Sequence, residues 1–241
     1  MAGMYACGYD VSSMQKVIDE DYKSLSSIEK KPIIKSIGGF VFKKGINVEG
    51  LSNGEKVEKL MSVLAKEKGI EKIEDTKIPI AIVTCDTISM KECVLISKGY
   101  GLKNSNIEYI TDISIGKAVR ASMSFPGIYT TCNFDKYNFI DGGTKNNLPV
   151  QVLKDMGAQK IISVSFDLDN YTPTGKITDV VIRALDIFSL DNVLKGRELS
   201  DVACIVKTED TSLLEIKDTG AVIQAGYNAV MEHKEEVLKL I

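Results

Sequence analysis

Arg120-Ala121-Ser122-Met123-Ser124-Phe125-Pro126-Gly127 is followed by Tyr137-Asn138-Phe139-Ile140-Asp141-Gly142-Gly143 and then by Asn146-Asn147-Leu148-Pro149-Val150. The first block predicts a helix from about Ser114 to Ser124. It stops before Pro126, because the residue preceding a proline disfavours helical dihedrals. The second block predicts a strand ending at Ile140. Asp-Gly-Gly after an apolar strand reads in two ways. Glycine supplies the positive φ that turns require. A turn is the commoner case; a carboxylate at a strand's end, beside two residues without side chains, can also be approached closely by a substrate or a nucleophile. Position alone does not choose between them.

Working outward, Ser12-Ser13-Met14-Gln15 reads as a capping box opening a helix with Met14, Val17, Ile18, Tyr22, Leu25 and Ile28 on its apolar face. Ser52-Asn53-Gly54-Glu55 opens a second helix carrying Val57, Leu60, Met61 and Leu64, with Gly69 as its stop. Two strand-like runs follow, Ile78 to Cys85 and Cys93 to Ile96, the first apolar enough to be buried on both faces. Downstream the pattern predicts a helix from Pro149 to Met156 closed by Gly157, and a strand from Lys160 to Phe166. A helix from about Ile177 to Leu194, a strand from Val202 to Val206 and a helix from about Thr219 to Leu240 complete the order. Strands alternating with helices predict an α/β fold with a mostly parallel sheet flanked by helices. No repeat, low-complexity tract or linker interrupts it, so residues 1–241 read as one domain.

The averages are those of a globular chain: 241 residues, 44% hydrophobic and 26% charged. With 33 acidic against 30 basic residues there is no electrostatic footprint for nucleic acid. No apolar stretch reaches the roughly 18 residues of a membrane span. Met1 to Tyr9 has no basic region before its apolar residues, unlike a signal peptide. Five scattered cysteines, never spaced as CxxC, point to a reduced, cytoplasmic protein. No Cys/His/Asp/Glu set has metal-ligand spacing. The sole histidine, His233, falls on the apolar face of the last helix with Val222, Gly226, Val230 and Val237, which predicts a packed residue rather than a base. The lysines at 30–31, 43–44 and 66–72 are interleaved with acids and read as solvated faces.

The ordered blocks resemble the patatin-like phospholipase family, particularly its bacterial branch. There a helix ending in R-A-S-x-x-x-P-G precedes a strand running into D-G-G or D-G-A, then an N-x-P turn, a short helix with G-A and an apolar strand. The same order appears here as Arg120 to Gly127, Ile140 to Gly143, Asn147 to Pro149, Gly157-Ala158 and Lys160 to Ser165. Ile78 to Asp86 is similar to the family strand that ends in a threonine-aspartate region. The resemblance implies a three-layer α/β/α fold and a serine acyl hydrolase acting on lipid or other acyl esters, with transient contact at a membrane surface. It implies no cofactor and no metal. It places Asp141, within the motif Asp141, Gly142 and Gly143, at the aspartate of a Ser-Asp dyad, where it orients and deprotonates the serine without a histidine.

Two family parts do not stand where the family has them. No G-x-S-x-G, the nucleophile elbow that exposes a serine on a strand-to-helix turn, stands ahead of the Ala2 to Tyr9 segment; the same letters at Gly50-Leu51-Ser52-Asn53-Gly54 overlap the box that opens the second helix. There is no glycine-rich oxyanion loop either, since Gly38-Gly39 is only a pair inside an apolar run and reads as a bulge. Ser114, Ser122 and Ser124 lack the elbow's flanking glycines. Ala2-Gly3-Met4-Tyr5-Ala6-Cys7-Gly8-Tyr9, which by itself reads as a frayed terminus, is similar to the helix that follows the family's nucleophile. The resemblance therefore predicts an N-terminally incomplete patatin-like domain, lacking its first strand or strands, inactive as given and prone to aggregate where central strands are missing. The competing readings are a non-catalytic lipid-binding or regulatory module and a nucleotide-binding α/β domain. The latter has no G-x-G-x-x-G or G-x-x-x-x-G-K-[ST] behind it.

Overall fold

The structure, a computed structural model, describes residues 1–25, 50–97, 102, 106–168, 177–208 and 219–240. The chain divides into two compact units, Met1–Gly143 and Thr144–Ile241.

The first unit begins with helices α1 (Ala2–Ala6) and α2 (Val11–Leu25), continues through strand β1 (Gly50–Ser52) and helix α3 (Glu55–Glu67), and reaches strands β2 (Ala81–Asp86), β3 (Glu92–Ile96) and β4 (Ile107–Ile110). Helix α4 (Ile115–Ser122) precedes strands β5 (Gly127–Tyr129), β6 (Cys132–Phe134) and β7 (Tyr137–Asp141). Five strands form one sheet in the order β4-β3-β2-β7-β6, and β1 pairs with β5 separately. The α/β class is as the sequence predicts. The sheet is mixed where the sequence predicts it mostly parallel: β3 and β4 run parallel, whereas β2–β3, β2–β7 and β6–β7 run antiparallel. Short connections explain the antiparallel β2–β3 and β6–β7 pairs, though not β2–β7, which is remote in sequence. Two or a few residues can turn a chain back on itself, while a parallel neighbour needs a long crossover.

The local signals mostly hold. Ser114 caps α4, its hydroxyl accepting from the Lys117 N–H at 3.2 Å. The first cap lies two residues earlier than the sequence predicts, because the Asp10 carboxylate accepts from the Ser13 N–H at 2.7 Å and from the Ser12 hydroxyl at 2.8 Å. A short charged side chain is the better acceptor for the free N–H groups of a first turn. Ile28 and Gly38-Gly39 lie outside the described residues.

The N-terminus is not frayed. Met4, Ala6 and Cys7 join the core with Met61, Ile73, Leu95, Ile115, Ala118 and Phe139. Tyr9 anchors this corner. Its hydroxyl meets the Leu64 carbonyl at 2.9 Å and the Glu67 carboxylate at 2.8 Å, while the Lys68 ammonium lies 4.4 Å from its ring centroid. Burial and the Glu67 carboxylate push the Tyr9 phenol up to about 12. Across the sheet, Tyr137 makes the matching bond to Glu108 at 2.9 Å.

The second unit holds helix α5 (Val150–Asp155), strand β8 (Ile162–Phe166), helix α6 (Ile177–Leu199), strand β9 (Val202–Val206) and helices α7 (Thr219–Glu232) and α8 (Lys234–Leu238). Strands β8 and β9 pair in parallel through the α6 crossover. Leu148, Val150, Ile161 and Val193 pack in one cluster and Val202, Cys204, Val206 and Ala229 in another. Strand β8 turns its serine side inward: Ser163 is buried, whereas Ile162, Val164 and Phe166 are 43, 52 and 57% exposed. The predicted last helix is broken at His233. His233 is the N-cap residue of α8 with no side-chain cap bond; its ring Nδ1 lies 3.2 Å from the Glu236 carboxylate, half-exposed, so its expected place inside a packed face is not observed.

Candidate active site

The site is built on the end of β7. Asp141 is its last residue and stands opposite Thr84 in the ladder with β2. Thr84 is fully buried, and its hydroxyl donates to the Ile140 carbonyl at 2.6 Å. Beyond Asp141 the chain leaves the sheet at once in a tight 3-10 turn, Gly142–Thr144.

Gly142 is required by close approach. A Cβ there would lie 2.2 Å from the Val83 carbonyl oxygen and 2.4 Å from its carbon. No side chain fits between these two backbones, so the turn can tuck against β2 only with glycine. The same turn brings the Gly143 N–H to Asp141 Oδ1 at 2.7 Å. Both readings of Asp-Gly-Gly therefore coincide: the glycine makes the turn, and the turn presents a half-buried carboxylate.

Burial raises the Asp141 carboxyl above the ordinary carboxylate range, and the Gly143 N–H pulls it part of the way back. A carboxylate that holds a proton more readily than usual is the right polarity for a general base at neutral pH.

The block from Arg120 to Gly127 packs directly behind this strand end. The Asp141 N–H donates to the Ser124 carbonyl at 3.0 Å. Pro126-Gly127 forms the centre of a β-turn closed by the Ile128 N–H on the Phe125 carbonyl at 3.1 Å, with Gly127 at φ +84°. That combination of proline followed by a positive-φ glycine is the signature of a type II turn. The neighbouring serines have other tasks. The Ser122 hydroxyl donates to the Val83 carbonyl at 2.8 Å, and the Ser124 hydroxyl, fully buried, donates to the Arg120 carbonyl at 3.0 Å.

Sequence reasoning reaches Thr84 and Asp86 only through the resemblance of Ile78 to Asp86 to a family strand ending in a threonine-aspartate region, and gives neither a contact. The register of Thr84 opposite Asp141 cannot be read from spacing. Asp86 is buried at the end of β2, where it accepts from the Ser89 hydroxyl at 2.6 Å, the Ser89 N–H at 2.8 Å and the Asn138 N–H at 2.9 Å. It ties the β2–β3 hairpin to the start of β7. Asn147-Leu148-Pro149 and Gly157-Ala158 lie in the second unit, around α5. Among the described residues no group of three or more His, Cys, Asp or Glu side chains could hold a metal ion. No described helix is long and apolar enough to cross a membrane.

A family model described as patatin-like phospholipase matches residues 1–154. Among curated proteins, lysophospholipase NTE1 of Candida albicans is 27% identical over 184 residues, an alignment covering 72% of this chain and 11% of that protein. The chain thus spans a small part of the length of the relative it matches.

Proposed function

Because the chain belongs to the patatin-like phospholipase family, we propose that it carries the aspartate half of a Ser-Asp acyl hydrolase that cleaves lipid esters. The single observation behind this reading is Asp141, half-buried at the end of β7 and held by Gly143 on a turn that only glycine permits. Its similarity to a lysophospholipase supports a lipid ester as the substrate class.

In the proposed reaction Asp141 accepts the proton of a serine hydroxyl as that oxygen attacks the ester carbonyl. Collapse of the tetrahedral intermediate expels the alcohol, which takes the proton from Asp141; water then gives a proton to Asp141 as it attacks the acyl-serine, and that proton returns to the serine oxygen as the fatty acid leaves. The environment of Asp141 suits the first step, since burial makes its carboxylate a stronger base than an exposed one. The one G-x-S-x-G string in these 241 residues, Gly50-Leu51-Ser52-Asn53-Gly54, forms β1 and the entry to α3, where the Ser52 hydroxyl accepts from the Gly54 N–H at 3.3 Å; in this proposal it is not the nucleophile. Ser122 and Ser124 are committed to backbone carbonyls. The 241-residue chain assayed alone is therefore inactive on p-nitrophenyl esters in this proposal.

The test is a form extended in frame upstream of Met1. If the added residues contain a G-x-S-x-G whose serine is needed to hydrolyse the ester, with Ser52→Ala leaving turnover intact and Asp141→Ala abolishing it, the reading stands. Stop codons upstream, with lipid binding but no turnover, favour the non-catalytic module instead. Turnover by the 241-residue chain itself, lost in Asp141→Ala, would overturn the assignment of the nucleophile.

A further inference from the structure

Arg120 stands in the last turn of α4 and is 2% exposed. Its hydrogen bonds go to neutral oxygens: Nε to the Asn53 carbonyl at 2.6 Å, Nη1 to the Ser124 hydroxyl, and Nη2 to the Thr130 carbonyl at 2.8 Å and hydroxyl at 3.1 Å. The fit is close, since a Cβ on Gly54 would lie 2.3 Å from Nε. A guanidinium desolvated against carbonyls and hydroxyls is an expensive way to stabilise a fold. What it gains is geometry, because the planar fork fixes the direction of every acceptor it touches.

One of those acceptors leads to the candidate base. The Ser124 hydroxyl accepts from Nη1 and donates back to the Arg120 carbonyl, so the residue is held from both sides. Its own carbonyl then receives the Asp141 N–H. A second support converges on the same strand end, through the Ser122 hydroxyl and Gly142 on the Val83 carbonyl. We propose that Arg120 is a positioning residue for Asp141, acting through Ser124. This rests on Asp141 as the base, but it is read on Asp141 itself rather than on turnover.

The experiment is amide hydrogen exchange together with a carbon-13 titration of the aspartate carboxyls, on the full 241-residue chain. Arg120→Lys keeps the charge and loses the fork. Ser124→Ala keeps the arginine and loses the link. In both, exchange at the Asp141 N–H accelerates about tenfold, the worth of one hydrogen bond, while Val94 and Leu95 in β3 stay within about twofold. The Asp141 carboxyl midpoint falls toward the ordinary carboxylate value as the turn opens to water, and the Asp86 midpoint does not move. Thr130→Val, which leaves the Ser124 link intact, changes neither Asp141 readout.

An unchanged Asp141 in both Arg120→Lys and Ser124→Ala overturns the proposal. So does an acceleration shared equally by β3, or loss of the fold in both variants, since either makes Arg120 a general stabiliser. The underlying reading fails separately: if Asp141→Asn leaves the turnover of an active, extended form intact, Asp141 is not the base, whatever the exchange data show.

Discussion

Thr84 and Asp141 face each other across the β2–β7 ladder, and the Thr84 hydroxyl closes on the carbonyl one residue before the carboxylate. Thr84→Val preserves shape and removes that donor at a fully buried position. It is expected to cost about 1–2 kcal/mol, measured by urea denaturation, whereas Thr84→Ser, which retains the donor, loses less. Equal losses in the two variants would show that the methyl, not the hydroxyl, matters there.

Gly142→Ala drives a methyl into the Val83 backbone, where no flexible side-chain tip can yield. A loss of about 3 kcal/mol is expected. Gly226→Ala is the contrast. It lies inside α7 with nothing within 4 Å of the added methyl, and it should gain about 1 kcal/mol from helix propensity. Thermal melts of the two variants should move in opposite directions.

Half-buried Asp141 and buried Asp86 give opposite pH signatures. Burial lifts Asp141 above its unfolded value, so its ionisation opposes folding; the stability present below the ordinary carboxylate pKa declines as pH rises through the folded one. Asp141→Asn, which keeps the carbonyl that accepts from Gly143, should therefore stabilise the protein at pH 7. The advantage disappears below the carboxylate range, and a pH series of denaturant midpoints reads it directly. The variant trades this stability against the proposed chemistry.

Asp86 runs the other way. Burial would raise it, but the Ser89 hydroxyl and the N–H groups of Asn138, Ser89 and Ile88 outweigh that effect and hold it below the ordinary range. Its contribution is complete above the unfolded pKa and is lost as pH falls through the folded one. Asp86→Asn should flatten the acid limb of the same pH series. An acid limb as steep as in the unsubstituted chain would assign it to other carboxylates.

Strand β8 carries three large apolar side chains on its exposed side and pairs only with β9 among the described residues. An apolar face of this kind promotes association. Sedimentation velocity should show self-association rising with concentration, reduced by Val164→Thr with Phe166→Thr and accompanied by little change in the melting temperature. Concentration-independent sedimentation of the unsubstituted chain would remove the premise.

The legible part of this protein was its punctuation. Ser114, Pro126-Gly127, Gly69 and Gly157 mark element ends through local backbone chemistry, and each does so in the structure: Ser114 caps α4, and the three glycines take positive φ. Asp141 was legible as a strand-end carboxylate because Ile140 and Gly142 bracket it. Strand direction was not legible, because parallel and antiparallel neighbours draw on the same apolar residues and differ only in the connections between them. Nor was the network behind Asp141. Arg120 and Asp141 are 21 positions apart and communicate through a serine carbonyl, and a backbone acceptor leaves no trace in residue identity.

The tyrosine bonds at the two edges of the first unit also determine how the molecule shines. The chain has nine tyrosines and no tryptophan, so its ultraviolet emission is phenolic. Tyr9 and Tyr137 each hand a proton donor to a carboxylate, Glu67 and Glu108, an arrangement that drains the excited state of a phenol. Unfolding separates both pairs, so these two phenols are expected to brighten as the chain melts, a signal that needs no label.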